Sequence, residues 1–136
     1  MKTLRMIAAA TLLAGTVLTP LLAQAEDAQL PGVGRTDLLR ADLSISGREV
    51  MQVLVEFAPG VMAPWHAHPG EEIAYVIEGQ LEYTLQGKPP LTLNAGDTIF
   101  IPHGTSHTAK NVGSGKAVEL ATYIVEKGKP LVVLDE

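Results

Sequence analysis

PWHAHPGEEIAYVIEG, residues 64–79, places two of the chain's four histidines two residues apart. Paired glutamates follow, and then an apolar run closed by Gly79. Residues i and i+2 of a strand project from one face, roughly 6–7 Å apart. His66 and His68 can therefore converge on one ion. Glu72 adds a carboxylate if the chain bends at Pro69-Gly70. Glu71, its neighbour, points the other way as a solvated or salt-bridged acid. Two imidazoles and a carboxylate with open positions suit a redox-active or Lewis-acid divalent ion. A fourth ligand must come from a distant segment, and the histidines left to supply it are His103 and His107.

Outward from this stretch the chain is a series of short apolar runs. Val50–Phe57 is rich in β-branched residues, and Leu81, Tyr83 and Leu85 alternate with Glu82, Thr84 and Gln86. Leu91–Leu93, Thr98–Ile101, Val118–Val125 and Leu131–Leu134 follow. Turn sequences such as Ala58-Pro59-Gly60, Asn94-Ala95-Gly96-Asp97 and Pro102-His103-Gly104 divide them. Many short, evenly spaced strands predict an all-β sandwich or barrel. Thr36–Ser46 is an expected edge strand, and Glu26–Arg35 reads as a loose arm. Ile73, Tyr75 and Ile77 are apolar, as are Ala74 and Val76 between them. This predicts a strand buried on both faces, with a second subunit covering the outer one.

Two spaced patterns complete the picture. Gly60, His66-x-His68, Glu72 and Gly79 form the first; Gly96, Pro102-x-Gly104, His107 and Asn111 form the second. Together they resemble the two motifs of the cupin superfamily, over residues 60–111. The resemblance implies a jelly-roll β-barrel (double-stranded β-helix). It also implies that His66, His68, Glu72 and His107 coordinate one metal ion inside the barrel. Gly60, Gly79, Gly96, Pro102, Gly104 and Asn111 then serve as turn residues. Small single-domain cupins of this pattern are often described as similar to quercetin dioxygenases, a likeness of fold and ligands and not of substrate pocket.

Four protein ligands leave about two positions of an octahedral ion for substrate, dioxygen or water. Fe, Mn, Ni, Co and Zn all suit such a donor set, and in a chain that folds after export intrinsic affinity favours Zn or Cu. Glu72 is a candidate for both ligand and base. Pocket-lining candidates are Val53, Val55, Phe57, Ala74, Val76, Ile99 and Ile101. Arg35, Arg40 and Arg48 precede the first motif, with Arg48 the one that could reach inward from its strand; the absence of an arginine near the ligands disfavours a small dianion. His103 lies within a turn, as an exposed loop residue or a proton-shuttling group at the pocket mouth. Trp65, the one tryptophan, reads as a packing residue. The expected function is a metal-dependent oxidoreductase of dioxygenase type acting on a small, mainly apolar molecule. The alternatives are a non-catalytic metal or small-ligand binding protein, or a metal-dependent isomerase, decarboxylase or lyase.

Composition narrows the field. The chain has no cysteine, which excludes disulfides, thiolate metal sites and cysteine nucleophiles. Its first 25 residues have the layout of a secretory signal peptide: Lys2 and Arg5, an apolar stretch from Met6 to Ala23, and a cleavage site at Ala23-Gln24-Ala25. The expected organisation is a leader over 1–25, an arm and edge strand over 26–46, and a cupin domain over 47–136. Without Lys2 and Arg5 the ten basic residues fall to eight against fifteen acidic, a net charge of −7. That balance suits a soluble acidic protein with a small-molecule ligand, periplasmic or secreted, and a homodimer. It argues against nucleic-acid binding.

Overall fold

The computed structural model of the chain describes Leu30 and residues 32–136. The expected leader and residues 26–29 of the arm lie outside the described residues. The described chain is all β, in two antiparallel sheets of five strands each. The first sheet contains β1 (Val33–Asp42), β2 (Arg48–Phe57), β9 (Ala117–Glu126), β4 (Gly70–Glu78) and β7 (Thr98–Ile101), in the order β1-β2-β9-β4-β7. The second contains β10 (Val133–Leu134), β3 (His66–Ala67), β8 (His107–Asn111), β5 (Gln80–Leu85) and β6 (Leu91–Asn94), in the order β10-β3-β8-β5-β6. Neighbours in each sheet are mostly distant in sequence, as in a jelly roll.

Period-two alternation builds the core. Val53, Val55 and Phe57 on β2 and Ala117, Ala121 and Val125 on β9 point inward. Leu81, Tyr83 and Leu85 on β5 meet them from the second sheet. Burying each large apolar side chain stabilises the fold by about 1.5–3 kcal/mol. β1 is an edge strand, but it starts earlier than Thr36 and ends at Asp42. Its cross-strand pairing with β2 begins at Val33↔Phe57, so Val33, Gly34 and Arg35 belong to the sheet and not to a loose arm.

Two glycines are required by close approach. A Cβ on Gly70 would lie 2.1 Å from the Ile124 carbonyl oxygen, so only glycine lets β4 run this close to β9. Gly79 has φ 78° and a Cβ there would meet the Lys116 carbonyl oxygen at 2.6 Å. Asn111 does more than form a turn. It is fully buried, its amide nitrogen donates to the Phe57 and Gly115 carbonyls, and its side-chain oxygen accepts from Gly113 N–H. It thereby ties the end of β8 to the end of β2.

The two apolar faces of β4 differ in burial. Ala74 and Val76 are completely buried, but Ile73, Tyr75 and Ile77 are between 38 and 45% exposed. Within one chain β4 is covered on its inner face only.

Candidate metal centre

Strands β3 and β8, with the segment just after β3, bring the histidines together. His66 on β3 stands directly opposite His107 on β8, and their ring centroids are 4.4 Å apart. His68 follows on the same face as His66, its ring 5.0 Å from that of His66 and 5.1 Å from that of His107. All three are buried. Their ligating nitrogens cluster within 4.8 Å of one another, so His66, His68 and His107 could hold a metal ion. Glu72 comes from the first sheet, across the interior. Its Oε2 lies 3.0 Å from His68 Nε2 and 3.3 Å from His107 Nε2.

Hydrogen bonding sets the tautomers. Nδ1 of His66 donates to the Pro64 carbonyl (2.7 Å), that of His68 to Leu131 (2.7 Å) and that of His107 to Thr105 (2.9 Å). With the Nδ1 side committed to the backbone, each Nε2 faces the shared centre. His68 Nε2 and Glu72 Oε2 are buried there without an aligned hydrogen bond despite their proximity. Buried polar atoms left open in this way cost free energy unless a ligand satisfies them. Three nitrogens and a carboxylate oxygen fit a divalent transition ion.

The electrostatics agree with a preformed cluster. Burial, helped by the nearby His107, lowers the His66 pKa to about 4, so His66 is neutral and ready to ligate at pH 7. For Glu72 burial favours the neutral acid, but the adjoining His107 and His68 imidazoles outweigh it and hold the carboxyl well below the usual range. Burial also works against charge on His107, and Glu72 overcomes it and raises that pKa.

The cluster opens on an interior cavity of about 330 Å³. Val53, Val55, Phe57, Ala63, Ala109 and Leu131 provide apolar wall. Of the lining expected from sequence, Val53, Val55 and Phe57 are there. Ala74, Val76, Ile99 and Ile101 are not; they pack into the core away from the cavity. Arg48 does not reach in either, because its guanidinium lies 3.9 Å from Glu71 at the surface side of the sheet. Arg35 reaches the cavity instead, with its Nε donating to Asp37 at 2.7 Å. Glu71 is the outward acid expected. His103 is exposed, 4.0 Å from Glu126, and away from the cavity lining. Trp65 is partly exposed beside the site.

Sequence reasoning missed Glu119, Tyr83 and Tyr123, which also line the cavity. Tyr123 packs its ring 4.7 Å from that of His68 and sits opposite Glu72 in the β4–β9 ladder. Burial, with the negative charge of Glu72, pushes its phenol well above the usual range. A lone acid inside the apolar run of β9, four residues from a tyrosine on the same face, was the available signal.

One metal-competent cluster among the described residues, inside a two-sheet jelly roll, defines a cupin-type barrel. Residues 53–125 match the family model of the cupin domain, and the chain belongs to that family. Among curated relatives it is 37% identical over 57 residues to the dimethylsulfoniopropionate lyase DddQ of Ruegeria pomeroyi, covering 42% of this chain and 28% of that protein. It is 34% identical over 79 residues to germin-like protein 1-1 of Oryza sativa subsp. japonica, covering 54% and 37%. The chain thus spans well under half the length of either. Among solved structures, oxalate oxidase superposes with a TM-score of 0.62 at 27% identity, covering 85% of this chain and 61% of that chain. The DddQ lyase from Ruegeria pomeroyi DSS-3 gives 0.56 at 28% identity, covering 62% and 42%.

Proposed function

We propose that the protein is a metal-dependent oxidoreductase of dioxygenase type, acting on a small, mainly apolar molecule held in the cavity. The observation that carries this reading is the convergence of His66, His68, His107 and Glu72 on one buried point beside an apolar chamber. In this reading Glu72 is the fourth ligand. A bound Fe, Mn, Ni, Co or Zn ion would supply Lewis acidity or, for iron, one-electron chemistry with dioxygen. The chain's own residues do the rest. The three backbone carbonyls fix the imidazole orientations, Tyr123 and Glu72 adjoin in the ladder, and the apolar wall excludes water. Glu72, held ionised, is also the base best placed to accept a substrate proton at the metal end.

A second reading, an elimination catalysed without dioxygen, is favoured by the likeness to the DddQ lyase over 57 residues. Oxygen-electrode measurements on metal-loaded protein with a panel of small aromatic and aliphatic substrates separate them. Substrate-dependent dioxygen uptake supports the oxidoreductase. Product formed at equal rate under argon replaces it with the lyase. No turnover by correctly loaded protein leaves a binding protein.

Two further parts of the reading rest on separate features. Residues 1–25 support export and cleavage after Ala25, with the mature chain periplasmic or secreted. The exposed outer face formed by Ile73, Tyr75 and Ile77 on β4, with Phe100 paired beside Ile73 on β7, supports a homodimer.

A further inference from the structure

Beyond the histidines the cavity contains a second polar place. Tyr83 and Glu119 are 1% and 4% exposed, and both line the chamber. The Tyr83 hydroxyl and Glu119 Oε2 are buried with no hydrogen-bond partner. Buried polar atoms are almost always paired, so two orphans facing one cavity mark where a ligand's polar atoms would sit.

The strand registers displace both from the histidine cluster toward the same end of the cavity. Tyr83 pairs with Ala109, two residues along β8 from His107 toward Asn111. Glu119 lies four residues from Tyr123 on β9, toward Ala117, whose partner is Phe57. Asn111 binds the Phe57 carbonyl, so both displacements run toward the same end of the sandwich. At a rise of about 3.3 Å per residue, Tyr83 is about 7 Å from the level of His107 along its strand, and Glu119 about 13 Å from that of Tyr123. Val53, Val55 and Phe57 line the cavity on the strand beside Glu119.

We propose that Tyr83 and Glu119 form a ligand subsite that binds an uncharged hydrogen-bonding group, an alcohol or phenol, on a molecule whose other end faces the histidine cluster. The position of that other end rests on the metal-centre reading; the subsite itself does not. A neutral group is favoured because burial, with the negative charge of Glu72 adding to it, pushes the Glu119 carboxyl well above the usual range and keeps it an acid that both donates and accepts. An anionic group would meet the carboxyl groups of Asp37, Glu72 and Glu119, which all line the chamber. Arg35, the cation that lines the cavity, has its Nε on Asp37.

Calorimetric titration with phenol, toluene and benzylammonium tests the assignment, on protein as purified and on protein stripped with a chelator. Tyr83→Phe and Glu119→Leu should each weaken phenol roughly three- to tenfold, the worth of one neutral hydrogen bond. Toluene affinity should not fall, which also reports an intact cavity. The same losses should appear in stripped protein, so they stand even if the histidines prove to hold no metal. If Glu119→Leu fails to fold, Tyr83→Phe carries the test alone. The proposal is overturned if phenol does not bind the unaltered protein, or binds it and the folded variants equally. It is also overturned if benzylammonium binds and Glu119→Leu abolishes that binding, because Glu119 would then be an anionic site for cations.

Discussion

His66 and His107 are direct cross-strand partners, on β3 and β8, with ring centroids 4.4 Å apart and both Nδ1 atoms donating to carbonyls two residues upstream. The pair is thus held by backbone geometry that exists before any ion arrives. His107→Ala should therefore leave the chelator-stripped protein folded. It should remove the metal-dependent rise in melting temperature, which at a metal concentration of 1,000 times Kd corresponds to about 4 kcal/mol in the unaltered protein. Calorimetric scans with and without added metal check this.

Acid should destabilise the stripped protein in a defined window. The folded His66 has a pKa of about 4, against 6.5 for the free side chain. Between these values the unfolded chain binds the extra proton, so stability rises with pH. The contribution is fully present above pH 6.5 and is lost as pH falls through about 4, a change of about 3 kcal/mol. Glu72, whose pKa is depressed, adds to the loss only below about pH 4.5. Urea unfolding of stripped protein from pH 4 to 7 should show this slope, and His66→Gln should flatten it.

Glu119 should give the opposite sign. Its folded pKa lies above the ordinary value of 4.5, so the folded state holds a proton that the unfolded chain releases. Stability is therefore lost as pH rises above 4.5 through the folded pKa, with a slope of about 1.4 kcal/mol per pH unit. The difference between Glu119→Gln and the unaltered protein should move in the variant's favour by that slope from pH 5 upward. Parallel stability curves would show that Glu119 is ionised in the fold.

Two copies should separate when charge is placed on the outer sheet. Tyr75 and Phe100 are 44% and 56% exposed there, and neither contributes to the cavity lining. Tyr75→Lys with Phe100→Glu should convert a dimer into a monomer in sedimentation equilibrium, with the metal content and the melt of each protomer kept to within about 1 kcal/mol. A monomeric unaltered protein would remove the dimer from the account.

How far the sequence was legible follows from the range of each signal. His66, His68 and Glu72 lie within seven residues, and His107 sits in a second motif of fixed spacing, so a short pattern was enough to find them. Val53, Val55 and Phe57 were found because β2 alternates cleanly. Glu119, Tyr83, Tyr123 and Arg35 were not, because only the pairing of β1, β5 and β9 with their neighbours says which row faces the cavity. Ile73, Tyr75 and Ile77 were expected to be covered by a second subunit, and within one chain that outer face is exposed, so the chain alone does not decide it.

The central claim is that the histidine cluster holds a metal. Elemental analysis of the protein, purified without affinity metals, tests it most directly beside a His66→Ala/His68→Ala double variant. The account predicts about one equivalent of Fe, Mn, Ni, Co or Zn per chain in the unaltered protein and none in the variant. Equal metal in both, or none in either after reconstitution, would contradict it.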